Sequence, residues 1–467
     1  MSKLFPSLED ALRHCGLRDG MTLSFHHHLR NGDGVLNIAL AEAARLGIRD
    51  LTLQASSLFD VHAPLIDHIK SGVVTGIETN YMSSGIGRAI SRGVLKKPVR
   101  FRSHGGRADA IDSGRVQIDI AVIAAPAADC MGNANGLHGP AACGSLGYAM
   151  PDALHAKHVI VVTDHIVPYP LMPASIEEIT VDCVVQVPSI GDPKGIVSGT
   201  TQITRDPVAL AISRMAAQVI QHSGLLKEGF SFQTGAGGAS LAVTQYLRPL
   251  MRQLQITGSF GLGGITGYLV DMLQEGYFRT LMDVQCFDLK AVESIRDNPL
   301  HQQISATRYA SPSAKSTAVN SLDVVVLGAT EIDTHFNVNV HTDSNGQIMG
   351  GSGGHSDTAA GAKLSMIVAP LFRARLPIVV DQVLCNSTPG HTVDVLVTQR
   401  GIAVNPLRAD LNQALRDARL PVYPIEELKQ MAQRITGTPH TARPRGRVVA
   451  EVEYRDGSLL DTIRAVD

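Results

Sequence analysis

The chain has 467 residues, enough for two or three domains. Its 44% hydrophobic and 18% charged content describes globular α/β domains with large cores, not a disordered chain. With 41 basic against 43 acidic residues, the net charge of -2 gives no bulk field for nucleic acid or an anionic membrane, and no apolar run reaches the roughly 18 residues of a membrane span. The six cysteines are scattered without a C-x2-C pair, and the stretch Met1–Pro6 has no apolar signal core. Both features imply a reducing cytoplasm.

Met21–Phe25 reads as the first strand and runs into His26, His27 and His28. Neighbours on an extended segment point to opposite faces, so the three imidazoles do not converge, and no metal site is expected. Arg30, Asp33 and Gly34 follow with the composition of a pocket rim. Val35–Leu46 reads as a helix closed by Gly47, and Leu51–Gln54 as the next strand. Strand, helix, strand at this spacing makes a parallel sheet with right-handed crossovers. Ser103–Arg107 reads as a second rim loop, whose His104 and Arg107 suit a carboxylate.

Ile118–Asn135 begins an echo that Leu322–Asn339 completes. Each is a buried-strand pattern followed by D-x3-N-x-N, with Asp129, Asn133 and Asn135 matching Asp333, Asn337 and Asn339. Gly16–Gly20 likewise parallels Gly224–Gly229, and Gly144–Gly147 parallels Gly351–Gly354, at a near-constant, domain-sized offset. The repeat therefore selects two similar domains, 1–225 and 226–467, with the boundary near Ser223–Glu228 after the helix-like Pro207–Gln221. The echo fails at one acidic residue, where Ala127 faces Glu331. Glu331 is thus the leading catalytic candidate.

Further strands are expected at His158–Thr163, Asp182–Val187, Phe230–Gln233, Gln255–Phe260, Asp323–Leu327, Leu364–Val368 and Pro377–Val380. Between Phe230–Gln233 and a helix lies the glycine turn Gly235, Ala236, Gly237, Gly238, whose backbone N–H groups suit an oxyanion or phosphate. As a dinucleotide fingerprint it is imperfect, because Ser240 stands at the third glycine position and no acidic residue ends the next strand. A second glycine loop, Gly350–Gly354, precedes His355. Thr436–Arg447 reads as a linker, and Val448–Tyr454 with Ser458–Ile463 as a terminal hairpin counted with the second domain.

The run of motifs QTGAGGASLAV (Gln233–Val243), GLGGITGYLVD (Gly261–Asp271), ATEIDTHFNVNV (Ala329–Val340) and GGSGGHSDTAAGA (Gly350–Ala362) resembles the second half of coenzyme A transferases. With SFHHHLRNGD (Ser24–Asp33), SHGGR (Ser103–Arg107) and CGSLGYA (Cys143–Ala149), the whole chain resembles the alpha-subunit family of citrate lyase. The resemblance implies an α/β fold of two tandem CoA-transferase-type domains with mainly parallel sheets covered by helices. It also implies a transferase that turns acetyl carrier plus citrate into citryl carrier plus acetate, in citrate fermentation. No cofactor would be held permanently. The thioester would ride on the phosphoribosyl dephospho-CoA arm of a gamma carrier subunit, with acetyl-CoA as surrogate, and a beta subunit would cleave the citryl product within an oligomer.

On that reading Glu331 matches the glutamate that many CoA transferases acylate, whereas in the citrate enzyme citrate itself is described as attacking the acetyl thioester. Gly235–Gly238 would form the oxyanion hole and Gly351, Ser352, Gly353 and Gly354 would meet the carrier arm. His26, Arg30, His104, Arg107 and Asn337 are candidates for the substrate carboxylates. The competing readings are a citramalate lyase alpha subunit, a CoA transferase for a simpler acid, a dehydrogenase, and a non-catalytic carrier-docking subunit.

Overall fold

The computed structural model describes residues 2–197, 202–438 and 444–466. Two large sheets organise it. The first has ten strands, in the order Leu4–Phe5, Cys183–Gln186, His158–Thr163, Ile120–Ala124, Thr22–Phe25, Leu51–Ala55, Val74–Thr79, Val99–Phe101, Val448–Glu453, Leu459–Arg464. The second has eight: His301–Gln303, Phe278–Cys286, Gly258–Ile265, Ser231–Thr234, Val324–Leu327, Leu364–Val368, Val395–Thr398, Gly401–Val404. Every neighbouring pair is parallel except one edge pair in each sheet. Ile120–Ala124, Val324–Leu327 and Leu364–Val368 are buried throughout, as strands covered by helices on both faces must be.

The two halves share a strand order. From Val99–Phe101 across to Cys183–Gln186, the first sheet visits its strands in the same sequence order as the second does from His301–Gln303 to Val395–Thr398. The echoing strands Ile120–Ala124 and Val324–Leu327 occupy equivalent places.

Local signals explain most boundaries. The helix Val35–Arg45 is followed by Gly47 at φ 78, the left-handed residue that ends a helix at no Cβ cost. The helix Pro207–His222 starts on Asp206, whose carboxylate accepts from the N–H groups of Val208 and Ala209, with Pro207 at the first position where its missing N–H costs nothing.

Four sequence expectations are corrected. Ser103–Arg107 is not a loop: Ser103 caps the helix His104–Asp112, and Gly105 is required because a Cβ there would fall 2.2 Å from the Ala310 carbonyl. Gln255 closes the preceding helix at φ 55, and the strand Gly258–Ile265 continues through its glycines because Gly258 and Gly264 face the rings of Phe278 and Phe287. Pro377–Val380 stays out of the main sheet; Val379–Val380 joins a small three-stranded sheet beside Glu331. The terminal hairpin belongs with the first half, where Val448–Glu453 pairs in parallel with Val99–Phe101. Ion pairs stitch it there, Arg102 Nε to Glu453 at 2.6 Å and Arg100 to Glu451 at 3.1 Å. Part of the expected linker Thr436–Arg447 lies outside the described residues.

The halves interlock through their matching glycine loops. A Cβ on Gly144 would fall 2.2 Å from Cys286 Sγ, and one on Gly147 2.4 Å from the Ile304 carbonyl. Reciprocally, a Cβ on Gly351 would fall 2.2 Å from the Asn80 carbonyl. Each loop thus lies against the other half because it has no side chain to hold it off.

Candidate active site

Glu331 opens the short strand Glu331–Asp333, just past the carboxyl end of the core strand Val324–Leu327. Parallel α/β sheets place their sites at such ends. The side chain is buried, and its Oε2 accepts from Asn339 Nδ2 at 3.1 Å and from the Leu384 N–H at 3.3 Å. The Asn339 amide is itself locked. Its Oδ1 accepts from the N–H groups of His341 and Thr342, and its Nδ2 also reaches the Thr342 hydroxyl at 2.8 Å.

The first half repeats this scaffold without the carboxylate. Asp129 Oδ1 accepts from the N–H groups of Met131, Gly132 and Asn133, and Asn133 Nδ2 donates to Asp129 Oδ2 at 2.9 Å. Asp333 and Asn337 make the same turn, with Asn337 Nδ2 donating to Asp333 at 3.1 Å. Asn337 also accepts from the Gly390 N–H and Asn386. These bonds make Asn337 a brace of the turn.

The first glycine loop abuts the same sheet end. The Gly235 N–H is taken by the Val326 carbonyl at 2.7 Å. Among the described residues nothing accepts from the N–H groups of Ala236, Gly237 or Gly238, which open the helix Gly238–Leu254. Such N–H groups at a helix start are a preorganised anion site.

The second glycine loop bridges the halves. The Gly353 N–H donates to the Asn80 carbonyl, and the Gly353 carbonyl accepts from the His104 N–H at 2.8 Å. His355, which follows it, donates Nε2–H to the Gly328 carbonyl at 2.9 Å, three residues before Glu331. Burial holds the His355 imidazole neutral, pushing its pKa down to about 4. No described acceptor takes the N–H groups of Gly351, Ser352 or Gly354.

The histidines gather at the end of the first sheet, beside this loop. His26 is engaged internally, its Nε2 by the Ala124 N–H at 3.0 Å and its Nδ1 by His28. His27 stacks on Tyr148 at 4.8 Å, and Tyr148 packs on His104 at 4.4 Å between ring centroids. Arg30 lies between Phe59 of the first half and Phe287 of the second, 5.2 and 4.8 Å from their ring centroids. Arg107 is buried and grips Asp152 with both terminal nitrogens at 2.8 Å. That fork-to-carboxylate geometry engages it inside the protein. No cluster of His, Cys, Asp or Glu among the described residues is arranged to hold a metal ion, and no described helix is long and apolar enough to cross a membrane.

A family model described as citrate lyase, alpha subunit (CitF), matches residues 1–466. The chain belongs to the citrate lyase alpha-subunit family. It is 53% identical over 464 residues to the citrate lyase alpha chain of Klebsiella pneumoniae, covering 99% of this chain and 91% of the relative. A crystal structure of a putative alpha subunit of citrate lyase from Streptococcus mutans, in complex with citrate, superposes with a TM-score of 0.98 at 49% identity, covering 100% of this chain and 92% of that one. A Pseudomonas malonate decarboxylase hetero-tetramer shares the fold, with a TM-score of 0.69 at 17% identity over 93% of this chain and 87% of that one.

Within that family frame, sequence reasoning missed Tyr148, Asn80, Asp357 and the Leu384 N–H. Tyr148 directly follows the Gly144–Gly147 loop that the repeat had singled out, so the loop was the available signal. Asn80 and Asp357 carried none, because their importance lies in contacts between the halves.

Proposed function

We propose that this chain, an enzyme of the CoA-transferase type, exchanges the acyl group of a carrier thioester, acetyl carrier plus citrate giving citryl carrier plus acetate. The beta and gamma subunits of citrate lyase are its partners, in a cytoplasmic complex. One observation carries the assignment of the centre: Glu331 is held by Asn339 and Leu384 at a sheet end shared with two glycine loops, where the equivalent first-half position is Ala127.

The chemistry balances without an outside reagent. A citrate carboxylate attacks the acetyl thioester carbon, and the tetrahedral oxyanion is stabilised by the N–H groups of Ala236, Gly237 and Gly238. Collapse expels the carrier thiolate and leaves an acetyl–citryl anhydride. The thiolate then attacks the citryl carbonyl and acetate departs. Glu331, its Oε2 held by Asn339 and the Leu384 N–H, is assigned an orienting and electrostatic role. Arg30, set between aromatic rings of the two halves, is the proposed cation for the acceptor acid. The N–H groups of Gly351, Ser352 and Gly354 are assigned to the carrier arm.

The test is acetate release from acetyl-CoA with citrate and then citramalate as acceptor. Release with citrate, accompanied by citryl-CoA, supports the reading. Preference for citramalate moves the chain to that acid. Release with neither, while acetyl-CoA binds, contradicts acyl exchange with these acids.

A further inference from the structure

His104 offers its site an acceptor and no donor. Asn80 Nδ2 donates to two backbone carbonyls, those of Arg102 at 2.9 Å and Ser103 at 3.0 Å. A carbonyl only accepts, so this end of the amide is NH2 and the other end is oxygen. That oxygen lies 3.2 Å from His104 Nδ1. An amide oxygen only accepts as well, so Nδ1 carries the proton. Burial, helped by the nearby Arg107 charge, pushes the imidazole pKa down to about 3 and holds the ring neutral. A neutral ring with its proton on Nδ1 leaves a lone pair on Nε2.

The Nε2 atom looks onto the second glycine loop. A Cβ on Gly353 would stand 3.3 Å from it, and Gly353 has none. Among the described residues no group donates to Nε2. The ring plane is fixed by Tyr148 at 4.4 Å and His27 at 5.8 Å.

A fixed lone pair repels a carboxylate and attracts an O–H. Ionised citrate carries three carboxylates and a single donor, its tertiary hydroxyl. Building on the acyl-exchange reading above, we propose that His104 Nε2 accepts the hydroxyl hydrogen bond of the acceptor acid and thereby selects hydroxylated tricarboxylates over their deoxy analogues. This replaces the carboxylate-binding role expected of His104 from the sequence. Asn80 is then a positioning residue that sets the tautomer.

The experiment compares acetate release from acetyl-CoA with citrate and with propane-1,2,3-tricarboxylate, as kcat/KM, in the wild type, His104→Phe and His104→Gln. The ratio of the two acids on one protein is insensitive to how much of that protein is folded. The wild type is expected to favour citrate. His104→Phe should shrink the preference by about tenfold or more, through loss on citrate. His104→Gln, whose amide oxygen restores an acceptor, should regain part of it. An undiminished preference in His104→Phe overturns the proposal. A wild type that releases no acetate with citrate overturns instead the acyl-exchange reading on which it rests.

Discussion

Ala127 and Glu331 stand on the same rung of two matching ladders, Ala127 opposite Asn135 and Glu331 opposite Asn339. Around them the two halves keep the same three-stranded arrangement and the same Asp–Asn turn. What differs is the use of the asparagine amide. Asn135 Nδ2 donates to the Pro173 carbonyl at 2.8 Å, whereas Asn339 Nδ2 donates to Glu331. The fold therefore stands with or without a carboxylate on this rung.

The asparagine pair separates structure from catalysis. Both are fully buried, and each Oδ1 accepts a backbone N–H. Asn135→Ala and Asn339→Ala should each cost about 1–3 kcal/mol of stability in urea denaturation. Only Asn339→Ala should also lower the acetate-release rate per folded molecule, by about tenfold or more. Equal rates in the two variants would detach Asn339 from the centre.

Gly237 tests the oxyanion assignment. Its φ of -77 suits alanine and proline alike, and among the described residues a Cβ there would meet only Ser240 Oγ, at 3.8 Å. Gly237→Ala keeps the N–H and should leave turnover within about threefold, while Gly237→Pro removes it and should lower kcat by about a hundredfold. Similar rates in both variants would take this N–H out of the mechanism.

Asp357 sets a pH dependence of stability. It accepts from the Ser103 hydroxyl at 2.7 Å and the Gly105 N–H at 2.8 Å, joining the second half to the start of a first-half helix. Burial pushes its carboxyl up to about 6 from the usual 3.8, against the opposing pull of Arg455. The folded chain thus holds this proton more tightly than the unfolded chain. The stabilisation is full below the unfolded value and is lost as pH rises through the folded one, about 3 kcal/mol in all. Asp357→Asn should abolish that loss, so wild type should weaken relative to the variant between about pH 4 and about pH 7 in urea denaturation. A gap that does not move with pH would contradict the linkage.

Arg107 and Asp152 form a buried, bidentate pair. Asp152→Ala leaves a guanidinium buried without its carboxylate and should cost about 3–5 kcal/mol, lowering the thermal midpoint. A variant as stable as the wild type would show that Arg107 is not structural and return it to the substrate.

Much of this arrangement was legible in the sequence, because buried parallel strands announce themselves as short apolar runs and the repeat fixed their equivalence. Thr22–Phe25, Val324–Leu327 and Leu364–Val368 fall where the apolar runs placed them. Glu331 was legible as the one acidic break in the echo. Gly105 and Gly264 misled, because glycine signals a turn in sequence but serves here as a close-packing site inside a helix and a strand. The hairpin was misplaced because sheet membership across hundreds of residues leaves no local trace. The tautomer of His104 was out of reach for the same reason, depending on Asn80 and the carbonyls of Arg102 and Ser103 at once.

The most direct test of the account is the rate of acetate release with citrate in Glu331→Gln, measured against wild type, with the intact mass of the wild-type chain taken during turnover. Glutamine keeps an oxygen for Asn339 and Leu384, so the variant should fold normally. Its turnover should fall by about a hundredfold or more, and the wild-type chain should carry no acyl or thioester adduct. Near-normal turnover in Glu331→Gln would remove Glu331 from the centre, and a covalent adduct on Glu331 would replace direct attack by citrate with an acylated enzyme.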